Sequence, residues 1–179
     1  MRDYVVRSTV THAESAARRA ADVIIVILLC AAAVFAFFKL VWVPVSTADP
    51  QVGALSDGEL VIVDRVSKYF SEYSVGDIVR ANLGSGLNAY RVAASGGSSV
   101  VVRGGRLYVD GGLMDDSEYA SGWRSDAELS CEVPHGSVLL LPDDRSGVTS
   151  LEDHIIPVGS VYGKLRMRVY PFSKINFFC

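Results

Sequence analysis

The chain has 179 residues, a formal net charge of −3, 50% hydrophobic residues and 21% charged residues. This balance excludes a strongly basic nucleic-acid-binding protein and an intrinsically disordered chain. The three cysteines and three histidines are scattered without the spacing of metal ligands, so the sequence predicts neither a metal site nor a bound cofactor.

An apolar segment near the N-terminus is the first predicted element. Residues 23–43 contain one charged side chain, Lys39, and a helix of about 20 residues is long enough to cross the hydrocarbon core of a bilayer. Arg18 and Arg19 precede the segment, so the positive-inside rule places the N-terminus in the cytoplasm and the remainder outside. We therefore predict a single-pass cell-membrane protein with a cytoplasmic segment 1–22, a transmembrane helix 23–43 and an extracytoplasmic domain 44–179.

A cleaved signal peptide is the alternative interpretation of the same segment. Ser46-Thr47-Ala48 resembles a cleavage site with small residues, and cleavage there would release a secreted β domain with a mature N-terminus at Asp49. However, the apolar run continues through Trp42 and Val43 and is longer than the usual apolar region of a signal peptide. This length favours the membrane anchor.

Short runs rich in β-branched residues follow the apolar segment. Val100–Arg103 and Arg106–Val109 flank Gly104-Gly105, a pattern typical of a β-hairpin. No strong helical period interrupts these runs, so we predict a mainly β fold. The other predicted strand runs are Leu60–Val63, Gly76–Arg80, Val138–Leu141 and Val158–Val169, with loops at Leu83–Leu87 and Ser95–Ser99.

Six motifs carry a family resemblance. They are Leu55–Val63, Ser74–Val79, Tyr90–Ala94, Leu107–Gly111, the pair Val133–Gly136 and Leu141–Arg145, and Val169–Phe172. In this order they resemble the motifs of bacterial type I signal peptidases of the S26 family, which are membrane-anchored serine proteases with an extracytoplasmic β fold and a Ser/Lys dyad. The resemblance extends over nearly all of residues 40–175 and implies a signal-peptidase-like β domain behind one N-terminal membrane helix.

The catalytic positions implied by the resemblance depart from the family pattern. Aligning the prolines places Thr47 at the nucleophilic serine, with Ser46 one position away, whereas an ungapped alignment on Leu55 places Pro50 there. The general-base lysine of the family precedes Arg-Val, and Tyr90 stands at that position. A phenol with a pKa of about 10 is neutral at physiological pH and is a poor base.

The supporting residues of the family are partly retained. Asp143 and Arg145 match the pair that braces the family's site, and Ser150 matches the serine that helps to orient the lysine. Because that lysine is missing, we expect a salt-bridged loop that stabilises the fold rather than a catalytic group. Cys131 and Cys179 both follow the membrane segment; they are compatible with a disulfide and equally with free or buried thiols.

A groove for an extended signal peptide is also implied by the resemblance. Its candidate lining residues are Ala48, Val52, Ala93 and Ala94, although each is compatible with ordinary core packing.

Two functions follow from the resemblance as expectations. The first is a degenerate member that has lost hydrolysis and binds an extended signal peptide, a preprotein or a pilus-type surface protein at the lipid bilayer, since degenerate relatives serve as accessory factors in pilus assembly of Gram-positive bacteria. The second is an active type I signal peptidase with Thr47 or Ser46 as an atypical nucleophile and an unrecognised base.

Overall fold

The computed structural model describes residues 2–48, 50–70 and 73–178. Its one α-helix in this part of the chain, α1, runs from Arg2 to Leu40. The segment Arg18–Lys39 has a mean hydropathy of 2.8 and exposes its side chains, and by length and composition it can cross a membrane. The chain divides into two units, Met1–Leu40 and Val41–Cys179.

The helix differs from the predicted membrane segment at both ends. It begins at Arg2, well before residue 23, and it ends at Leu40, so that Trp42 and Val43 belong to the first strand instead. Pro44 explains the early end, because a proline disfavours the helical conformation of the residue before it and has no N–H to donate.

Twelve strands lie in the described residues of the second unit. They are β1 (Trp42–Ser46), β2 (Leu60–Asp64), β3 (Ile78–Asn82), β4 (Leu87–Ser95), β5 (Ser99–Arg103), β6 (Arg106–Val109), β7 (Gly112–Leu113), β8 (Glu128–Glu132), β9 (Ser137–Leu141), β10 (Ile155–Pro157), β11 (Gly163–Tyr170) and β12 (Asn176–Phe177). The mainly β prediction is therefore confirmed. The run Val158–Val169 is divided, because a short 3-10 turn at Val158–Ser160 precedes β11.

Two antiparallel sheets contain these strands. The larger has the order β1-β2-β11-β3-β4-β9-β10, with β12 paired to β11, and the smaller has the order β7-β6-β5-β8. The predicted β5–β6 hairpin turns at Gly104 and Gly105, whose φ angles of 60° and 72° suit residues without a Cβ.

Strands β4 and β9 are central to the packing. Ala93 and Ala94 of β4 and Leu139 and Leu141 of β9 pack in one buried cluster with Leu107 of the smaller sheet. The opposite side of the same strands packs in a second cluster. This burial on both faces holds β4 rigidly, and β4 carries Tyr90 and Arg91 into the candidate site.

Candidate functional site

Tyr90 lies in the middle of β4, opposite Val79 of β3. It is only 4% exposed, and its hydroxyl lies 3.4 Å from Ser85 Oγ in the β3–β4 loop. The ring borders a cavity of about 260 Å³, which we call the Tyr90 cavity. The other lining residues are Gln51, Leu83, Ser85, Pro142, Asp144, Gly147, Val148 and His154.

Thr47 lies directly after β1 and is 8% exposed. Its Oγ1 lies 2.5 Å from the carbonyl oxygen of Ser56 and 3.1 Å from that of Glu59. A threonine hydroxyl has one proton, and both of these neighbours can only accept it. The hydroxyl of Thr47 is therefore engaged with the main chain, and its side chain borders a separate small cavity rather than the Tyr90 cavity.

Gln51 is the residue of this segment that reaches Tyr90. Its backbone N–H donates to the carbonyl oxygen of Ala89 at 3.1 Å, which brings the chain alongside β4, and the residue lines the Tyr90 cavity. The sequence analysis assigned Gln51 no role. The signal that would have found it is the ungapped alignment, which places the neighbouring Pro50 at the nucleophile.

Arg91 and Asp143 form a largely buried bidentate pair. Arg91 Nε lies 3.0 Å from Asp143 Oδ1, and Arg91 Nη2 lies 3.2 Å from Oδ2. Asp143 also accepts the backbone N–H of Gly53 at 2.9 Å, while Arg91 donates to the carbonyl oxygen of Gly76 at 3.1 Å. The pair thus ties β4 to the segment after β1 and to the turn before β3.

Arg145 has a different partner from Asp143. Its side chain is 1% exposed, and Nη1 forms an ion pair with Asp116. The guanidinium also lies 5.5 Å from the centre of the Trp123 ring, while Arg91 lies 3.9 Å from the ring of Tyr119. Burial raises the pKa of the Tyr119 phenol although Arg91 favours its ionised form. Asp143 and Arg145 therefore form salt bridges with different residues: Asp143 pairs with Arg91 of β4, and Arg145 pairs with Asp116 from the segment between β7 and β8.

Ser150 and His154 lie beyond this loop. Ser150 Oγ donates to Glu152 at 3.1 Å at an exposed position, and His154 Nδ1 lies 3.0 Å from the carbonyl oxygen of Ser150. His154 lines the Tyr90 cavity, so its imidazole and the Asp144 carboxylate are the side chains there that can accept a proton. The sequence analysis gave His154 no functional role.

The predicted groove residues do not form a groove together. Val52 and Ala93 are each 1% exposed and Ala94 is 0% exposed, so these three side chains belong to the hydrophobic core. Only Ala48 is exposed. Their small apolar character, which suggested a peptide-binding surface, instead fits them into the packed interior.

The lysines that the structure describes lie away from the Tyr90 cavity and from Thr47. Lys164 Nζ pairs with Asp77 at 2.6 Å, and Lys68 Nζ donates to two main-chain carbonyls. No described lysine lines the Tyr90 cavity or the small cavity at Thr47. Cys131 is a free thiol whose pKa is raised by burial and by Glu152. Cys179 lies outside the described residues.

Comparison with known proteins identifies the family. The family model described as signal peptidase, peptidase S26, matches residues 17–170. Proteins named "Inactive signal peptidase IA" from Staphylococcus aureus strains Mu50 and N315 are 30% identical to this chain over 129 residues, which cover 67% of this chain and 74% of theirs. A signal peptidase I crystal structure from Enterococcus faecalis V583 matches with 18% identity and a TM-score of 0.43, over 53% of this chain and 97% of that one.

The chain combines a mainly β unit with one apolar helix that can cross a membrane, and it belongs to the signal peptidase family, peptidase S26. The family and the helix Arg18–Lys39 together indicate a single-pass membrane protein.

Proposed function

We propose that this protein lacks the Ser/Lys dyad of its family and acts as an accessory factor that binds a peptide or a protein partner without cleaving it. The observation that carries this proposal is the Tyr90 cavity. The predicted lysine position holds a buried phenol, and no described lysine lines the cavity. Without a desolvated amine, a serine or threonine hydroxyl has no lysine to take its proton.

Thr47 supports the same proposal. A nucleophile needs an adjacent base and an open path to the carbonyl carbon that it attacks. Thr47 instead directs its hydroxyl to the carbonyl oxygens of Ser56 and Glu59, and it is 8% exposed. The name of the Staphylococcus aureus relatives, "Inactive signal peptidase IA", agrees with a loss of hydrolysis in this branch of the family.

The Tyr90 cavity is the part of the candidate site that we propose a binding partner occupies. The Tyr90 cavity presents the polar side chains of Gln51, Ser85 and Asp144, which suit hydrogen bonds to an extended peptide backbone. The occupants that we propose are a signal peptide, an unprocessed preprotein or a pilus-type surface protein. The positive-inside rule, applied to Arg18 and Arg19, supports an extracytoplasmic β unit, where such partners emerge.

Processing in cells tests the loss of hydrolysis. The protein is expressed beside a model secreted substrate in cells depleted of their own signal peptidase, and the mature substrate is quantified. We expect no mature substrate at normal levels of inserted protein. Processing that disappears in Thr47→Ala or Ser46→Ala would instead establish an active enzyme with an atypical nucleophile, and His154→Ala would then test whether the imidazole is its base.

Site-specific photo-crosslinking tests the binding role. A photoreactive residue at position 85, on the rim of the Tyr90 cavity, is compared with the same residue at position 128, which is exposed on the smaller sheet. We expect crosslinks to uncleaved preprotein or surface protein from position 85 that clearly exceed those from position 128. Equal yields at the two positions would contradict a partner in this cavity.

A further inference from the structure

The lining of the Tyr90 cavity includes one carboxylate, that of Asp144, and no described lysine or arginine. Ser146 hydrogen-bonds to this carboxylate from its backbone N–H, at 3.0 Å from Oδ1, and from its side chain. These bonds hold the pKa of Asp144 below its ordinary value, so that the group is ionised at neutral pH. The charge of the lining therefore favours a cationic ligand.

The charged residues on either side of Asp144 have partners of their own. Asp143 pairs with Arg91, and the guanidinium of Arg145 pairs with Asp116. None of the ion pairs within residues 50–70 and 73–178 includes Asp144. The negative charge of Asp144 is thus available to a bound molecule.

The segment between β7 and β8 fixes the backbone on both sides of Asp144. The backbone N–H of Ser121 donates to the carbonyl oxygen of Asp143 at 2.9 Å, and the N–H of Arg145 donates to the carbonyl oxygen of Ser121 at 2.9 Å. The backbone of Gly122 passes so close that a Cβ there would lie 2.5 Å from Asp144 Oδ1. Because the carboxylate is held before a ligand arrives, a cation pays little to order it.

Neutral acceptors complete the polar part of the cavity. His154 Nδ1 lies 3.0 Å from the carbonyl oxygen of Ser150, which can only accept, so Nδ1 carries the proton and Nε2 of the neutral ring is an acceptor. The hydroxyl oxygens of Ser85 and Tyr90 lie 3.4 Å apart, and each keeps a lone pair after one donates to the other. A group with several protons and no acceptor suits this set of side chains.

The remaining wall of the cavity is apolar. Pro142 and Val148 are buried and Leu83 is half-buried, and all three border the volume of about 260 Å³. A lysine side chain combines a stem of four methylene groups, which packs on such a wall, with an ammonium that carries three protons. A guanidinium favours both oxygens of one carboxylate, and Ser146 already occupies part of the carboxylate of Asp144. The cavity therefore fits lysine better than arginine.

We propose that the Tyr90 cavity takes a lysine side chain of the bound partner, with its ammonium beside Asp144 and its methylene groups against Leu83, Pro142 and Val148. This inference rests on the proposed function, because it specifies which residue of the bound peptide or protein the cavity recognises. The ligand class is a peptide segment that presents a lysine.

Fluorescence anisotropy tests the preference. The full chain in detergent is titrated into fluorescein-labelled peptides of alanine and serine that carry one central lysine, arginine or norleucine. Norleucine keeps the apolar stem without the charge, and arginine keeps the charge with a different shape. The parent is compared with Asp144→Asn, whose amide oxygen can still accept the Ser146 N–H, and with Asp153→Asn, which removes an exposed carboxylate that does not line the cavity.

We expect the parent to bind the lysine peptide about tenfold more tightly than either other peptide. Asp144→Asn should abolish this preference while it still binds the norleucine peptide, which shows that the variant is folded, and Asp153→Asn should leave the preference unchanged. Equal affinities for lysine and norleucine, equal affinities for lysine and arginine, or a preference that survives Asp144→Asn would overturn the inference and leave the proposed peptide binding intact. Failure of the parent to bind any of the three peptides would contradict the proposed function as well.

Discussion

Arg145 carries a permanent positive charge, and its side chain lies in the interior of the β unit. A guanidinium stays protonated in proteins, and the side chain of Arg145 is 1% exposed. Asp116 supplies the opposite charge, the carbonyl oxygen of Pro142 accepts a further hydrogen bond at 3.4 Å, and the ring of Trp123 covers the group. The cost of burying Arg145 is therefore offset only while all these partners stay in place.

Removing Asp116 should destabilise the fold strongly. Asp116→Ala leaves the Arg145 guanidinium buried without its counter-charge, and we expect a loss of about 3 kcal/mol in the free energy of unfolding. Urea unfolding of the full chain in detergent, followed by tryptophan fluorescence, measures it. Asp115→Ala is the matched control, because Asp115 is exposed and accepts a hydrogen bond from the nearby Ser117, and it should change the free energy by less than about 0.5 kcal/mol.

Tyr73 is a second residue whose environment determines its chemistry. Its hydroxyl is buried and has no hydrogen-bond partner among the described residues. Burial raises the pKa of Tyr73 to about 12, and the carboxylates of Asp64 and Asp77 contribute in the same direction. The folded state therefore holds the phenol proton more tightly than the unfolded state does. This contribution to stability is complete below the unfolded pKa and is lost as the pH rises from about 10 to about 12.

Tyr73→Phe isolates that contribution. At pH 7 the variant should unfold at the same urea concentration as the parent or slightly higher, since it removes an unsatisfied hydroxyl. Above about pH 10 the parent should lose stability faster than the variant. Unfolding curves at neutral and alkaline pH provide the comparison, and parallel losses in the two proteins would show that Tyr73 does not ionise on unfolding.

The ion pairs of individual residues could be predicted only in part from the sequence. The pattern around Asp143 and Arg145 predicted a salt-bridged loop, and each of these two residues forms a salt bridge in the structure. The sequence did not predict that Asp143 pairs with Arg91 or that Arg145 pairs with Asp116. An ion pair between residues 29 or 52 positions apart depends on how strands pack, and no local period in the sequence records that packing.

At the scale of elements, close contact between β2 and β11 depends on a single glycine. A Cβ on Gly163 would overlap the carbonyl oxygen of Asp64 and lie 2.8 Å from Val63 Cγ1. Gly163 begins β11, which pairs with β2 on one side and β3 on the other. The strand order of the larger sheet therefore requires a residue without a side chain at this position.

Gly163→Ala should separate these strands and reduce stability by about 3 kcal/mol, because neighbouring backbone has to move. Gly159→Ala is the control, since an added Cβ there meets nothing within 4 Å and the backbone needs no positive φ. Thermal unfolding of the two variants in the same detergent gives the comparison. Similar midpoints for both would show that β11 shifts without loss of packing.

Elements were predictable to different degrees. The β5–β6 hairpin was predicted correctly because Gly-Gly between two β-branched runs is a strong local signal. The end of α1 was missed by three residues, because apolar residues serve a membrane helix and a half-buried strand equally well. Pro44 was the signal available for that boundary.

For the whole molecule, the order of the sequence motifs was enough to predict the family. The arrangement of the candidate site could not be predicted from that order. Thr47 and Tyr90 were predicted to stand at the two catalytic positions, and this assignment stays a prediction. In the structure they border different cavities, and Gln51 lies beside Tyr90 instead. The positions of Thr47 and Gln51 depend on their hydrogen bonds to Glu59 and to Ala89 of β4, which an alignment of motifs cannot supply.

The orientation in the membrane is a prediction at this scale. Arg18 and Arg19 should keep the N-terminus in the cytoplasm and the β unit outside. Protease added to intact spheroplasts should then degrade the β unit and spare an N-terminal tag. Replacing both arginines with glutamate should reduce the fraction of correctly oriented chains. Protection of the β unit in the parent chain would reverse the orientation.

Under the proposed loss of hydrolysis, the position of the Thr47 hydroxyl limits how this chain could regain catalysis. A serine at position 47 would meet the same two carbonyl acceptors, and a lysine at position 90 would enter a cavity bordered by Gln51. We therefore expect the Thr47→Ser/Tyr90→Lys double variant to leave a preprotein uncleaved in the depleted cells, and cleavage by it would contradict this view. We expect hydrolysis to require a different backbone path next to Thr47. We expect that no single substitution supplies such a change, so the proposed departure from hydrolysis would be hard to reverse one mutation at a time.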